Sequence, residues 1–124
     1  MKNIGVIINP KRALAENTIG QLSEAAIKYD WRLFCDECEI ANYLGAKYLE
    51  IDSFKNEVDL VFALGGDGTV LYAAHALLGS DIPVLGINLG NLGFLTAVAE
   101  KELPMALDYI KNGQYQLRER EGAL

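Results

Sequence analysis

The chain has 124 residues, 51% of them apolar and 23% charged, which fits a folded domain rather than a disordered segment. Its formal net charge is −6 and no basic run exceeds Lys11-Arg12, which argues against a nucleic-acid partner, because that affinity rests on clustered positive charge. No apolar stretch reaches the roughly 18 residues of a membrane span, and the run after Met1-Lys2-Asn3 is too short for a signal peptide, so a cytoplasmic protein is expected.

Ile4-Gly5-Val6-Ile7-Ile8 is a short β-branched run closed by Asn9-Pro10, the pattern of a buried strand and a turn. Residues 17–29 carry Ile19, Leu22, Ala25, Ala26 and Tyr29 on one helical face. Trp31-Arg32-Leu33-Phe34 predicts a second strand, with Trp31 in the core or at an interface. From Ile40 to Ile51 the spacing of Ala41, Leu44, Tyr48 and Leu49 predicts a helix, with Gly45 as its weak point. Residues 59–64, Asp-Leu-Val-Phe-Ala-Leu, form the clearest strand, continuous and apolar as for one covered on both faces.

A glycine-rich loop, Gly65-Gly66-Asp67-Gly68-Thr69, follows at once, and a helix is expected from Thr69 to Leu78. Pro83 to Ile87 reads as a fourth buried strand, followed by a second glycine-rich stretch from Asn88 to Leu95. A last helix is expected from Glu100 to Asn112, closed by Gly113. Gln114 to Arg120 alternates like a half-exposed strand. The expected organisation is therefore a nucleotide-binding α/β domain over 1–113, with 114–124 as the linker or first strand of a further domain.

Strands alternating with helices imply a parallel sheet with helices on both faces, a Rossmann-like α/β fold. Ligands of such sheets bind at the carboxyl ends of the strands. Both glycine-rich stretches lie there, so they are expected to line one crevice.

The first loop has the features of an anion site. Three glycines in four positions leave the backbone bare, and the following helix offers unpaired N–H groups and a positive dipole end. Asp67 conflicts with a simple anion cradle, since a carboxylate repels a phosphate. It could accept a proton from an attacking hydroxyl, help hold Mg²⁺, or merely cap the helix. The GxxxxGK[ST] pattern of a P-loop is absent, and GxGxxG fails because Leu71 stands three residues after Gly68.

With GGDGT at 65–69, PVLGINLG at 83–90 and LGFLT at 92–96, the sequence resembles the NAD kinases of the superfamily that also holds diacylglycerol, sphingosine and phosphofructokinases. Lipid kinases of that superfamily usually carry Asn-Glu just after GGDGT, where this chain has Val70-Leu71-Tyr72. The resemblance implies a phosphofructokinase-like N-terminal domain and phosphoryl transfer from ATP or polyphosphate to the 2′-hydroxyl of the adenosine ribose of NAD, with a divalent cation, usually Mg²⁺. By position, Asp67 would be the catalytic carboxylate, and Gly65, Gly66, Gly68 and Thr69 would shape the phosphate loop. Phe94 and Leu95 would wall the dinucleotide pocket, with Asn88 close by. The family reading also implies a homo-oligomer and a β-rich C-terminal domain, expected to be absent from this chain, whose Asn-Glu or Asn-Asp pair binds the dinucleotide. Asn56-Glu57 does not match that pair's position. Without that domain the isolated chain is expected to be nearly inactive. The alternatives are a lipid kinase of the same superfamily and a nucleotide-binding fragment that does no chemistry.

The remaining candidates are weaker. Cys35-x-x-Cys38 lacks the two further ligands of a zinc site and reads as a pair of reduced thiols. His75 stands eight residues beyond Asp67, about 12 Å along a helix, too far for a shared proton, and is expected on the surface or in packing. Lys11 and Arg12 would meet a polyphosphate or lie in a solvated loop.

Overall fold

A computed structural model describes residues 2–9, 16–88, 98–99 and 102–111. Six strands form one sheet: β1 (Lys2–Ile8), β2 (Trp31–Cys35), β3 (Lys47–Tyr48), β4 (Leu60–Gly65), β5 (Val84–Asn88) and β6 (Val98–Ala99). Their order is β3-β2-β1-β4-β5-β6, and every neighbouring pair is parallel. Five helices accompany them among the described residues: α1 (Glu16–Tyr29), α2 (Cys38–Leu44), α3 (Phe54–Glu57), α4 (Asp67–Ala76) and α5 (Leu103–Lys111).

The sheet is covered on both faces, as its apolar strands require. Along β4 the side chains alternate: Leu60, Phe62 and Leu64 enter a core with α1, α2 and α5, while Val61 and Ala63 enter a second core with α3 and α4. Trp31 belongs to the first core, 8% exposed, with its ring edge-on to Phe62 at 6.3 Å.

The helix expected from Ile40 to Ile51 is not one element. Gly45 takes the left-handed conformation (φ 71°), Ala46 N–H bonds Ala41 C=O at 2.8 Å and Gly45 N–H bonds Asn42 C=O at 3.4 Å. That is a Schellman stop, and glycine enters it without steric penalty. The chain then makes the two-residue strand β3, a 3₁₀ turn at Ile51–Ser53 and α3. The other expected elements appear with ends moved by a few residues; the sheet gains β3 and β6. The expected strand over 114–120 lies outside the described residues.

Candidate functional site

In this sheet β1→β2→β3 runs one way and β4→β5→β6 the other, so the order reverses between β1 and β4. A crevice at the carboxyl ends of two such strands is where open α/β sheets take ligands. Register places Ile8 beside Leu64, and Gly65 beside Asn88. Asn9 N–H reaches Leu64 C=O at 3.3 Å. Asn9, Gly65 and Asn88 thus stand in a row along one edge, and the glycine-rich loop rises from its centre. Asn88 is 3% exposed, a buried polar side chain at the end of a central strand. Sequence reasoning paired Asn88 with the loop but treated Asn9 only as part of a turn. Its place follows from the strand order, which the sequence pattern does not state.

The loop turns straight into α4. Gly66 is the N-cap, and its C=O accepts from Thr69 N–H at 3.1 Å and Val70 N–H at 3.3 Å. Asp67 is the first helical residue, so it is not the N-cap, and the bland role of a capping carboxylate goes to a glycine instead. Asp67 is partly exposed.

The three glycines are there for different reasons. A Cβ on Gly65 would collide with Thr69 Oγ1 and come within 3.2 Å of Thr69 Cβ, so the folded loop itself excludes a side chain there. A Cβ on Gly66 or Gly68 would meet no heavy atom of the described residues within 4 Å. No described residue requires glycine at those two positions. Gly66→Ala is therefore expected to change folding stability by less than about 0.5 kcal/mol, which unfolding curves of the variant check.

Asp36 directly follows β2 on the same edge, and Tyr72 of α4 lies near enough for each group to affect the other's titration. Burial pushes the Asp36 carboxyl above its usual range, and the neighbouring Glu37 charge adds to this. The Tyr72 phenol is raised by burial and by the Asp36 charge. Neither residue was read as a site residue from sequence, because only the fold brings α4 to the end of β2.

Cys35 and Cys38 are free thiols, Cys35 buried and Cys38 exposed. Burial pushes the Cys35 thiol up to about 11, opposite to the lowered value of a reactive cysteine. One thiol, Cys38, is expected to react with a disulfide reagent in the folded protein and both after denaturation. The raised value also has a sign for stability. Cys35 keeps its proton in the folded state at pH values where the unfolded thiol, near 9.0, has lost it. Its contribution is complete below about pH 9 and falls away, by about 2–3 kcal/mol, as pH rises toward 11. Melts at about pH 8 and about pH 10.5, with Cys35→Ala lacking this part of the loss, would show it.

His75 is exposed on α4, as expected. Lys11, Arg12 and the second glycine-rich stretch after Asn88, Phe94 and Leu95 included, lie outside the described residues. No helix among the described residues is long and apolar enough to cross a membrane, and none of their side chains form a group of three metal-ligating residues.

Comparison with known proteins bears on the family and the fold. Residues 4–115 match the family model described as ATP-NAD kinase N-terminal domain. An NAD kinase of Clostridium botulinum (Type A) is 33% identical over 120 residues, covering 97% of this chain and 41% of the relative. An NAD kinase of Geobacter metallireducens is 43% identical over 84 residues, 68% of this chain and 30% of the relative. The chain thus spans well under half the length of these curated relatives. Among solved structures, yeast NADH kinase complexed with NADH superposes with a TM-score of 0.75 at 18% identity, over 90% of this chain and 38% of that one. With 112 of its residues inside that family model, this chain belongs to the ATP-NAD kinase N-terminal domain family.

Proposed function

We propose that this chain carries the catalytic loop of an NAD kinase, which transfers a phosphoryl group from ATP, or from polyphosphate, to the 2′-hydroxyl of the adenosine ribose of NAD. The observation that carries the reading is the loop: a carboxylate at the first position of α4, flanked by two glycines at which a side chain would meet none of the described residues.

The chemistry follows from that layout. The α4 N-terminus and the bare backbone of Gly66 and Gly68 receive phosphate oxygens. Asp67, on the same turn, accepts the proton of the attacking ribose hydroxyl as the new P–O bond forms and the bond to the leaving diphosphate breaks. Thr69 holds the loop closed from inside, against Gly65. Asn88, Phe94 and Leu95 belong to the dinucleotide side of the crevice in this reading. A divalent cation fits as Mg²⁺ brought in on the ATP phosphates, with Asp67 as a single carboxylate ligand, since Mg²⁺ keeps most of its shell as water and phosphate oxygen. It would neutralise phosphate charge.

Relatives named NAD kinase are more than twice as long as this chain, so residues beyond these 124 are proposed to complete the dinucleotide site. In this reading 1–113 is the nucleotide-binding domain and 114–124 leads into the next. The 124-residue chain alone then turns over slowly, because positioning supplies much of the rate in phosphoryl transfer.

Acceptor choice tests the reading. Protein expressed from its complete reading frame is offered labelled ATP with NAD in one vessel and diacylglycerol vesicles in another. Label in the dinucleotide is expected. Label in the lipid alone would move the chain to the lipid kinases, a reading already opposed by Val70-Leu71-Tyr72 after the loop.

A further inference from the structure

The face of α4 that carries Asp67 continues as an apolar stripe. At 3.6 residues per turn, Leu71 stands roughly 40° round the helix axis from Asp67 and about 6 Å further along it. Ala74 falls roughly 20° to the other side. Both are exposed, Leu71 by 59%. The core-facing side of the helix is a different set. Thr69, Ala73 and, just past the helix end, Leu77 are buried, and Val70 is partly buried against the second core. Tyr72, 48% exposed, lies roughly 140° round from Asp67. Leu71 is therefore the large apolar side chain of α4 that shares the face of Asp67. Between Gly68 and Ser80 the chain has no Asp, Glu, Lys or Arg, so the stripe carries no full charge apart from Asp67 itself.

An exposed leucine is ordinary on a protein surface; what sets this one apart is its neighbour. Helical side chains lean toward the helix N-terminus, so Leu71 covers the turn that begins with Asp67, beside the crevice. The bonds of the acceptor say what stands there. When Asp67 meets the 2′-hydroxyl of the adenosine ribose, the adenine hangs from the adjoining ring carbon. Holding the hydroxyl therefore brings the base alongside the first turns of α4. A purine ring is flat and uncharged, and the stripe is apolar and uncharged. In-line transfer puts the donor on the far side of the phosphorus from the hydroxyl, so the base beside Asp67 is the acceptor's and not the donor's.

We infer that Leu71 is a specificity residue for the acceptor, packing against the face of its adenine while Asp67 holds the neighbouring hydroxyl. The inference rests on the role proposed above for Asp67. Leu71 touches the base and none of the reacting atoms.

The test uses protein from the complete reading frame, with leucine methyl groups labelled for NMR. NAD is added and contacts between methyl protons and ligand protons are read; Leu71→Ala identifies the Leu71 signals. Contacts from Leu71 to the adenine ring protons are expected. Kinetics of Leu71→Ala should show KM for NAD raised about 10-fold with KM for ATP within about 2-fold, the size of effect that an apolar contact gives in discrimination. Leu71→Met keeps an apolar side chain of similar size and should restore most of the loss. Thermal midpoints should match the parent, since Leu71 is exposed.

Contacts to the nicotinamide ring instead, or to no ligand proton, would overturn the inference. So would parental KM for NAD in Leu71→Ala, or a rise in KM for ATP in its place. A lowered midpoint with equal losses toward NAD and ATP would mark a merely structural side chain and overturn it too. If NAD binds with its adenine on Leu71 but no NADP forms, the contact stands and the proposed function falls. If NAD does not bind the parent, both fall.

Discussion

Asp67→Asn lowers kcat for NADP formation by about 10²–10⁴-fold, the range that removal of a positioned general base produces. The substitution keeps shape and volume and removes the negative charge, and with it the ability to take a proton or to hold Mg²⁺ as a carboxylate. Its structural effect is small, because Asp67 is the first helical residue rather than the N-cap and is partly exposed. Losing one carboxylate from the first turn of α4 costs about 0.3–1 kcal/mol of favourable interaction with the helix dipole. Activity and stability are therefore expected to separate widely in this variant. Steady-state kinetics beside a thermal melt measure both. Undiminished NADP formation by the Asn variant would remove Asp67 from the chemistry.

The largest stability effect is expected at Phe54, outside the site. Phe54 is fully buried and packs against Gly5, in the middle of β1. A Cβ on Gly5 would stand 2.7 and 2.9 Å from the Phe54 ring and 3.2 Å from Val61 Cγ2. Because β1 is paired on both sides, by β2 and β4, it cannot move aside. Phe54→Ala empties this space and is expected to destabilise by about 3–5 kcal/mol. Gly5→Ala overfills it, at about 1–3 kcal/mol. Combining Gly5→Ala with Phe54→Leu should cost less than the sum of the two, since the shorter side chain makes room for the new methyl group. Urea unfolding of the set checks this; an unchanged midpoint in Gly5→Ala would show that the contact is looser than the structure has it.

Much of this architecture was legible in the sequence, for reasons that particular residues make clear. β1, β4 and β5 are continuous apolar runs between turn signals, and a doubly covered sheet demands such runs. The loop at 65–69 announced itself because glycine on both sides of an aspartate, at a strand–helix junction, has few structural uses. β3 and β6 were not legible, because two-residue strands such as Lys47–Tyr48 and Val98–Ala99 are too short to carry a period. The expected helix through residue 51 ran too long because Leu44, Tyr48 and Leu49 keep helical spacing across Gly45, and the left-handed stop there outweighs that spacing. That the two glycine-rich stretches start at the same end of the sheet was foreseen; that Gly65 stands beside Asn88 comes from the register. The approach of Asn9 to that pair, and of Tyr72 to Asp36, depends on the strand order, which is a property of the assembled sheet.

The most direct measurement is of where the phosphate goes. Protein from the complete reading frame is incubated with NAD and MgATP, and the products are followed by phosphorus NMR. The account predicts ADP and a new phosphomonoester on the 2′-oxygen of the adenosine ribose in equal amounts. ATP hydrolysed to inorganic phosphate with NAD unchanged, or phosphate placed on any other oxygen, would contradict it.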